Sequence, residues 1–97
     1  IAPLINEACT ILNENLAKLE DIDLAMKNGL GMAMGAFEMA DKIGLDRVVR
    51  WLDYLYTEFG DQKFKASPVL KRLVRGNHLG QKTLQGFYKY DKYGQKI

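Results

Sequence analysis

Gly29-Leu30-Gly31-Met32-Ala33-Met34-Gly35-Ala36-Phe37-Glu38-Met39-Ala40-Asp41-Lys42-Ile43-Gly44-Leu45-Asp46 decides how this chain folds. Four of its nine glycines fall between positions 29 and 44. Glycine serves where the backbone takes positive φ or approaches another group closely. Four so near together predict a sharply folded connection between helices. Between them Met32, Met34, Phe37 and Met39 form an adaptable apolar wall beside exposed backbone amides. An acyl chain is one ligand such a wall would suit. The alternative is a tight helix–helix corner whose methionines fill core gaps, and composition alone favours it.

Working outward, helical periodicity and punctuation divide the rest of the chain. Ile1, Leu4, Ile5, Ala8, Ile11 and Leu12 recur at helical spacing, so a first helix is expected from about Ala2 to Glu14, with Asn15 beyond it in the left-handed cap conformation. Its opposite face would carry Asn6, Asn13 and Glu14. Leu19 to Asn28 reads as a second helix stopped by Gly29, with Glu20, Asp21 and Asp23 favoured in its first turn by the helix dipole. Gly35 to Ile43 reads as a third, closed by Gly44. Asp46 is a good N-cap for a fourth, which runs to about Phe59 and ends at Gly60. Its face of Val48, Val49, Leu52, Leu55, Tyr56 and Phe59, widened by Trp51 and Tyr54, calls for a central place or cover by another chain. Ser67-Pro68 signals the start of a fifth helix, which ends at Gly76. Beyond it Gly80, Gly86, Phe87, Tyr88 and Tyr90 describe an extended, aromatic-anchored tail, with residues 91–97 frayed. The expectation is one domain, residues 1–97: an all-α bundle of about five short helices with an extended aromatic C-terminal tail.

The net charge of +2 conceals a polarity. Residues 1–61 carry 5 Lys/Arg against 11 Asp/Glu, net −6, and residues 62–97 carry 9 against 1, net +8. A basic second half points to an anionic partner; the alternative is that it folds back on the acidic half. The single cysteine, Cys9, excludes an internal disulfide and a cysteine metal cluster, reads as a small apolar filler and fits a reducing, cytoplasmic setting. No apolar run approaches the roughly twenty residues needed to cross a bilayer, so no membrane partner is expected. Ile1, without an initiator methionine before it, suggests a fragment or a trimmed product.

Catalytic signals are missing. Hydride transfer to a dinucleotide calls for Gly-x-Gly-x-x-Gly after a strand, whereas Gly29-x-Gly31-x-x-x-Gly35 has the wrong spacing and follows a helix. There is no phosphate loop, no Ser/His/Asp set and no metal motif; the acids Glu20, Asp21 and Asp23 suit a helix start better than a metal. Glu38 and Asp41 share a helix face, so paired-carboxylate chemistry is conceivable, but Glu38 near a helix start suits capping better. His78, the only histidine, sits in a loop without an identified partner. A nucleic-acid binder of helix-turn-helix type around Gly44 fits poorly, because the following helix carries Trp51, Tyr54 and Tyr56 rather than base-reading polar side chains.

Order and spacing add a resemblance. Glu20-Asp21-Ile22-Asp23-x-Ala25-Met26-Lys27-x-Gly29-x-Gly31, Met34-Gly35-x-Phe37-Glu38-x-x-Asp41-x-x-Gly44-Leu45-Asp46, Pro68-x-Leu70-x-x-Leu73-Val74 and Leu79-Gly80-x-Lys82-Thr83-x-x-Gly86-Phe87-Tyr88-x-Tyr90 together resemble the C-terminal domain of the 3-hydroxyacyl-CoA dehydrogenases. The chain departs from that pattern at Ala33 and Ala36, where proline is usual, and at Leu84, where glycine is frequent. The resemblance implies a parent enzyme that oxidises an (S)-3-hydroxyacyl-CoA with NAD in acyl-CoA metabolism. Its N-terminal NAD-binding domain and catalytic His–Glu pair would precede this chain, which alone should be inactive. By position, Lys82 would reach the NAD, Met34, Gly35 and Phe37 would border the acyl-CoA substrate, and the domain would form a homodimer interface. The competing expectation is a non-catalytic helical dimerisation module.

Overall fold

The computed structural model describes residues 1–97 as five α-helices and two short 3-10 turns. The helices are α1 (Ala2–Asn13), α2 (Leu19–Leu30), α3 (Ala36–Ile43), α4 (Leu45–Phe59) and α5 (Pro68–Arg75). The 3-10 turns cover Gln62–Phe64 and Gln81–Thr83. The all-α expectation is met, and no helix is long and apolar enough to cross a membrane.

Glycine and proline set most boundaries. Gly60 closes α4 in the left-handed conformation at φ 66°. Ser67 caps α5, its hydroxyl accepting from the Val69 amide at 3.3 Å, with Pro68 first in the helix. Asn15 takes φ 57° just beyond α1, as its small polar side chain permits. Two boundaries differ from expectation. Gly29 does not stop α2: the helix runs to Leu30 and is capped by Gly31 at φ 66°. Gly31 is the residue in the left-handed region, so the chain turns there and Gly29 stays helical. Asp46 is not an N-cap either. Gly44, at φ 109°, caps α4, which leaves Asp46 inside the first turn.

The core gathers Ile5, Ala8 and Cys9 of α1, Phe37 and Ala40 of α3, Leu45, Val48 and Leu52 of α4, and Leu70 of α5. Cys9 is fully enclosed, and burial pushes its thiol up to about 12, which makes it an inert filler. Asn6 is the exception to the α1 pattern. Expected on the polar face, it is buried. Its amide nitrogen donates to the Lys63 and Lys65 carbonyls (3.2 and 2.8 Å), and its oxygen accepts from the Ser67 amide at 2.8 Å. One side chain thereby ties the loop between α4 and α5 to α1. Helix α4 turns Leu45, Val48 and Leu52 inward but leaves Trp51, Tyr54 and Phe59 exposed.

The tail is not extended throughout, because Gln81–Thr83 turn as a 3-10 helix, but it makes isolated antiparallel pairings Gly80–Gln85 and Gln85–Lys89. Leu84, which ends the 3-10 turn, takes φ 63°, a left-handed backbone that costs a residue with a β-carbon about 1 kcal/mol or more. Residues 91–97 are not frayed as expected. The Ile97 amide donates to the Lys89 carbonyl at 2.9 Å, and Lys96 pairs back with Tyr90. Asp91 nucleates this reversal by accepting from the Tyr93 and Gln95 amides (2.9 and 3.0 Å).

Candidate functional site

Two buried carboxylates join the glycine-rich corner to the aromatic tail. Asp23, on α2, accepts from the amides of Phe37 at 2.8 Å and Glu38 at 3.2 Å. The N-cap of α3 is Gly35, which has no side chain to offer. Asp23 therefore supplies the acceptor that the first turn of α3 requires. It also accepts from the Tyr88 hydroxyl at 2.7 Å. Asp41, one turn further along α3, accepts from the amides of Phe87 and Tyr88 (2.9 and 3.0 Å) and from the Tyr90 hydroxyl at 2.6 Å. Each carboxylate thus has three donors, and the tail gives three of its bonds to Asp41 and one, from the Tyr88 hydroxyl, to Asp23.

Glycines make this approach possible. An added β-carbon at Gly35 would overlap the Asp23 side chain, one at Gly86 the Asp41 carboxylate, and one at Gly80 the Asp41 backbone. Burial raises Asp41 above the usual carboxylate range, and the Tyr90 hydroxyl and two amides offset this only in part. Burial also raises the Tyr88 and Tyr90 phenols, reinforced by their bonds to Asp23 and Asp41, so both remain hydrogen-bond donors.

Asp41 and Glu38 do not work as a catalytic pair, although they share α3. Asp41 is enclosed beneath the tail, whereas Glu38 bonds Lys27 at 2.8 Å and Lys96 at 3.4 Å. Burial raises Glu38, but the two lysines outweigh it and hold the carboxyl below its usual range. Lys96 also lies over the Tyr88 ring, 4.5 Å from its centre. Asp23 likewise serves α3 and the tail instead of a metal. His78 rests half-buried against Gly76.

The positions expected to meet ligands separate into two layers. Met34 is half-exposed and borders a crevice of about 190 Å³ with Glu38, Gln81, Tyr90 and Lys96. Phe37 is fully buried, its ring packed on Phe87 with centroids 4.6 Å apart. Gly35 is buried against Asp23. Only Met34 of the three offers a side chain to the surface, because the corner's second half is spent on the core. Lys82 follows Gln81 on the second 3-10 turn, half-exposed, with its ammonium 2.7 Å from Asp46 Oδ1. The hydrogen bond from Lys82 holds the Asp46 carboxyl below its usual range. Gly44 lies beneath this pair: a β-carbon there would stand 3.1 Å from Lys82 Nζ. The end of the glycine corner at Gly44 and Asp46 thus meets the basic tail at Lys82, while Gln81 of the same turn borders the Met34 crevice.

Sequence reading missed Asp23, Asp41 and Asn6 as structural centres. A signal existed for two of them. Asp41 lies four residues after the core residue Phe37, and Asp23 three residues before the half-buried Met26, so both fall on the inward stripe of their helices.

Comparison with known proteins agrees with the fold and its sequence pattern. The family model described as 3-hydroxyacyl-CoA dehydrogenase, C-terminal domain, matches residues 1–90. A 3-hydroxybutyryl-CoA dehydrogenase of Clostridioides difficile is 49% identical over 92 residues, which are 95% of this chain and 33% of that protein. The crystal structure of (S)-3-hydroxybutyryl-CoA dehydrogenase PaaH1 from Ralstonia eutropha superposes with TM-score 0.89 at 41% identity, over 93% of this chain and 32% of that one. FadB2 of M. tuberculosis gives TM-score 0.90 at 32% identity, over 93% and 32% of the two chains. The chain therefore spans about a third of the length of these relatives. With the family model covering nearly all of it and the helical architecture shared, the chain belongs to the family of 3-hydroxyacyl-CoA dehydrogenase C-terminal domains.

Proposed function

We propose that this chain acts as the C-terminal domain of an NAD-dependent (S)-3-hydroxyacyl-CoA dehydrogenase, walling the acyl substrate and closing over the cofactor in a cytoplasmic enzyme. The observation that carries this reading is the match over residues 1–90, and the meeting of the Met34 crevice with the Lys82 turn supports it. Hydride transfer to NAD and the catalytic acid–base pair belong, on this reading, to the N-terminal domain of the parent. The relatives named for 3-hydroxybutyryl-CoA favour short acyl chains. Met34 borders the substrate directly, while Gly35 and Phe37 act from beneath by fixing the corner's backbone. The residues present suit a dinucleotide contact: Lys82 carries a half-exposed ammonium on a rigid turn, and only Asp46 shares it.

In the intact parent, Lys82→Ala should raise the dissociation constant for NAD about tenfold, the loss of one charge-assisted hydrogen bond. Lys82→Arg should recover only part of it, since a guanidinium does not reproduce ammonium geometry. Titration of NAD into both variants, followed by melting curves, checks this. Unchanged NAD affinity with a lowered melting temperature would assign Lys82 to Asp46 alone.

The domain also presents a face for self-association. Ile1 and Pro3 of the α1 end and Trp51, Tyr54 and Leu55 of α4 surround an apolar dent of about 330 Å³. On the proposed reading this face pairs two-fold with a second copy. Light scattering at micromolar concentration should then show a mass twice the 11.0 kDa of the chain; a purely monomeric species would leave the face to the parent's other domain.

A further inference from the structure

The polarity of charge along the chain is only partly resolved by folding. Lys82 pairs with Asp46 and Lys96 with Glu38, so two cations of the basic half do fold back on the acidic half. The cations of α5 and the loop before it do not. Lys65, Lys71, Arg72 and Arg75 have no carboxylate within 4.0 Å, and no Asp or Glu occurs between residues 62 and 90. Three of these cations converge. Lys65, Lys71 and Arg75, with Thr10 and Gln62, line an open groove of about 430 Å³ between α1, the loop before α5 and α5 itself.

The groove is built before any ligand arrives. Asn6 holds the Lys63 and Lys65 carbonyls and the Ser67 amide, and Ser67 caps α5. The loop backbone before α5 is therefore fixed to α1, while the Lys65, Lys71 and Arg75 side chains are exposed. Like charges gathered on a fixed frame repel one another, and an anion relieves that repulsion. Six of the eight lining residues are polar or charged and three of those are cationic, so an anionic group suits the groove. Arginine and lysine together suit phosphate, the first by paired hydrogen bonds and the second as a point charge.

We propose that this groove is a phosphate-binding site, distinct from the Met34–Lys82 face and independent of the dehydrogenase reading. Its ligand is a phosphate group, free or carried on a lipid headgroup. The test uses this chain. Inorganic pyrophosphate is titrated at constant ionic strength while amide resonances are followed by ¹H–¹⁵N NMR. Sedimentation with vesicles of phosphatidylcholine, with and without an anionic phospholipid, forms the second arm. The variant K71Q/R75Q removes both charges but keeps polar side chains, and K89Q is the control elsewhere on the basic half. Pyrophosphate should give saturable shifts at Lys65, Ser67 and Lys71, weakened tenfold or more in K71Q/R75Q and unchanged in K89Q. Saturable shifts without sedimentation identify a soluble phosphate compound. Sedimentation that needs the anionic lipid, lost in the same double variant, identifies a headgroup. Shifts that fail to saturate, or binding in both arms equally insensitive to K71Q/R75Q, would overturn the site.

Discussion

Asp41→Ala should destabilise the domain by about 3–5 kcal/mol, the largest effect of any single side-chain truncation outside the apolar core. Asp41 is almost fully buried and receives three hydrogen bonds, from the Phe87 and Tyr88 amides and the Tyr90 hydroxyl. Alanine leaves all three donors without an acceptor, and each buried orphan costs about 1–3 kcal/mol. Relief of the buried charge offsets part of that loss. Domains of this size are stable by only about 5–15 kcal/mol, so the variant should stand close to unfolding. Asp41→Asn should be milder. Its carbonyl oxygen can still accept from one amide, and the Tyr90 hydroxyl can rotate to accept from the new NH₂. Urea unfolding would order the three proteins as wild type, Asn, then Ala. Amide exchange should localise the loosening to Gly86, Phe87 and Tyr88. A shift below about 1 kcal/mol for Asp41→Ala would mean that water replaces the carboxylate and that the tail is not anchored there.

The helices were legible because their ends are marked. Gly44, Gly60, Gly76 and Ser67-Pro68 stand where the backbone must turn or a helix must start, and each does so in the fold. The polar interior was not legible in the same way. Asp23 in a first helical turn looks like an ordinary dipole-complementing acid, and only the return of the tail, 65 residues later, reveals its second partner Tyr88. Asn6 is similar: its partners lie 57 to 61 residues away, so no local pattern distinguishes it from a surface asparagine. Asp46 shows the opposite confusion. Its residue type fits a cap, but Gly44 can reach the φ of 109° that the corner demands, and Asp46 is left free to pair with Lys82. At the candidate site, the roles proposed for Lys82 and Met34 came from family pattern and not from local chemistry. An exposed lysine and a methionine carry no signal of their own. The burial of Phe37 was written in its spacing to Ala40 and Asp41, which the acyl-wall reading overrode.

Two glycines of the opening stretch should respond to alanine with opposite signs. Gly29 lies inside α2, has a helical backbone and has nothing within 4 Å of an added β-carbon. Gly29→Ala should stabilise the domain by about 0.5–1 kcal/mol, because alanine has less chain entropy to lose and a better helix propensity. Gly35 is also free of positive φ, at −71°, so the backbone alone would accept alanine. The space would not. The new methyl overlaps the Asp23 carboxyl, which is already committed to the Phe37 and Glu38 amides and the Tyr88 hydroxyl. Either α2 and α3 move apart, which opens the core at Phe37, or Asp23 swings away and strips the first turn of α3 of its acceptor. Overpacking of this kind costs about 1–3 kcal/mol and a lost helix cap about 0.5–2 kcal/mol, so Gly35→Ala should lose about 2–4 kcal/mol in all. The double variant Asp23→Ala with Gly35→Ala decides between the two routes. If the methyl acts through Asp23, it should add almost nothing once the carboxylate is gone, a strong departure from additivity between touching residues. If the two losses simply add, Gly35 is required for some reason other than the close approach of Asp23.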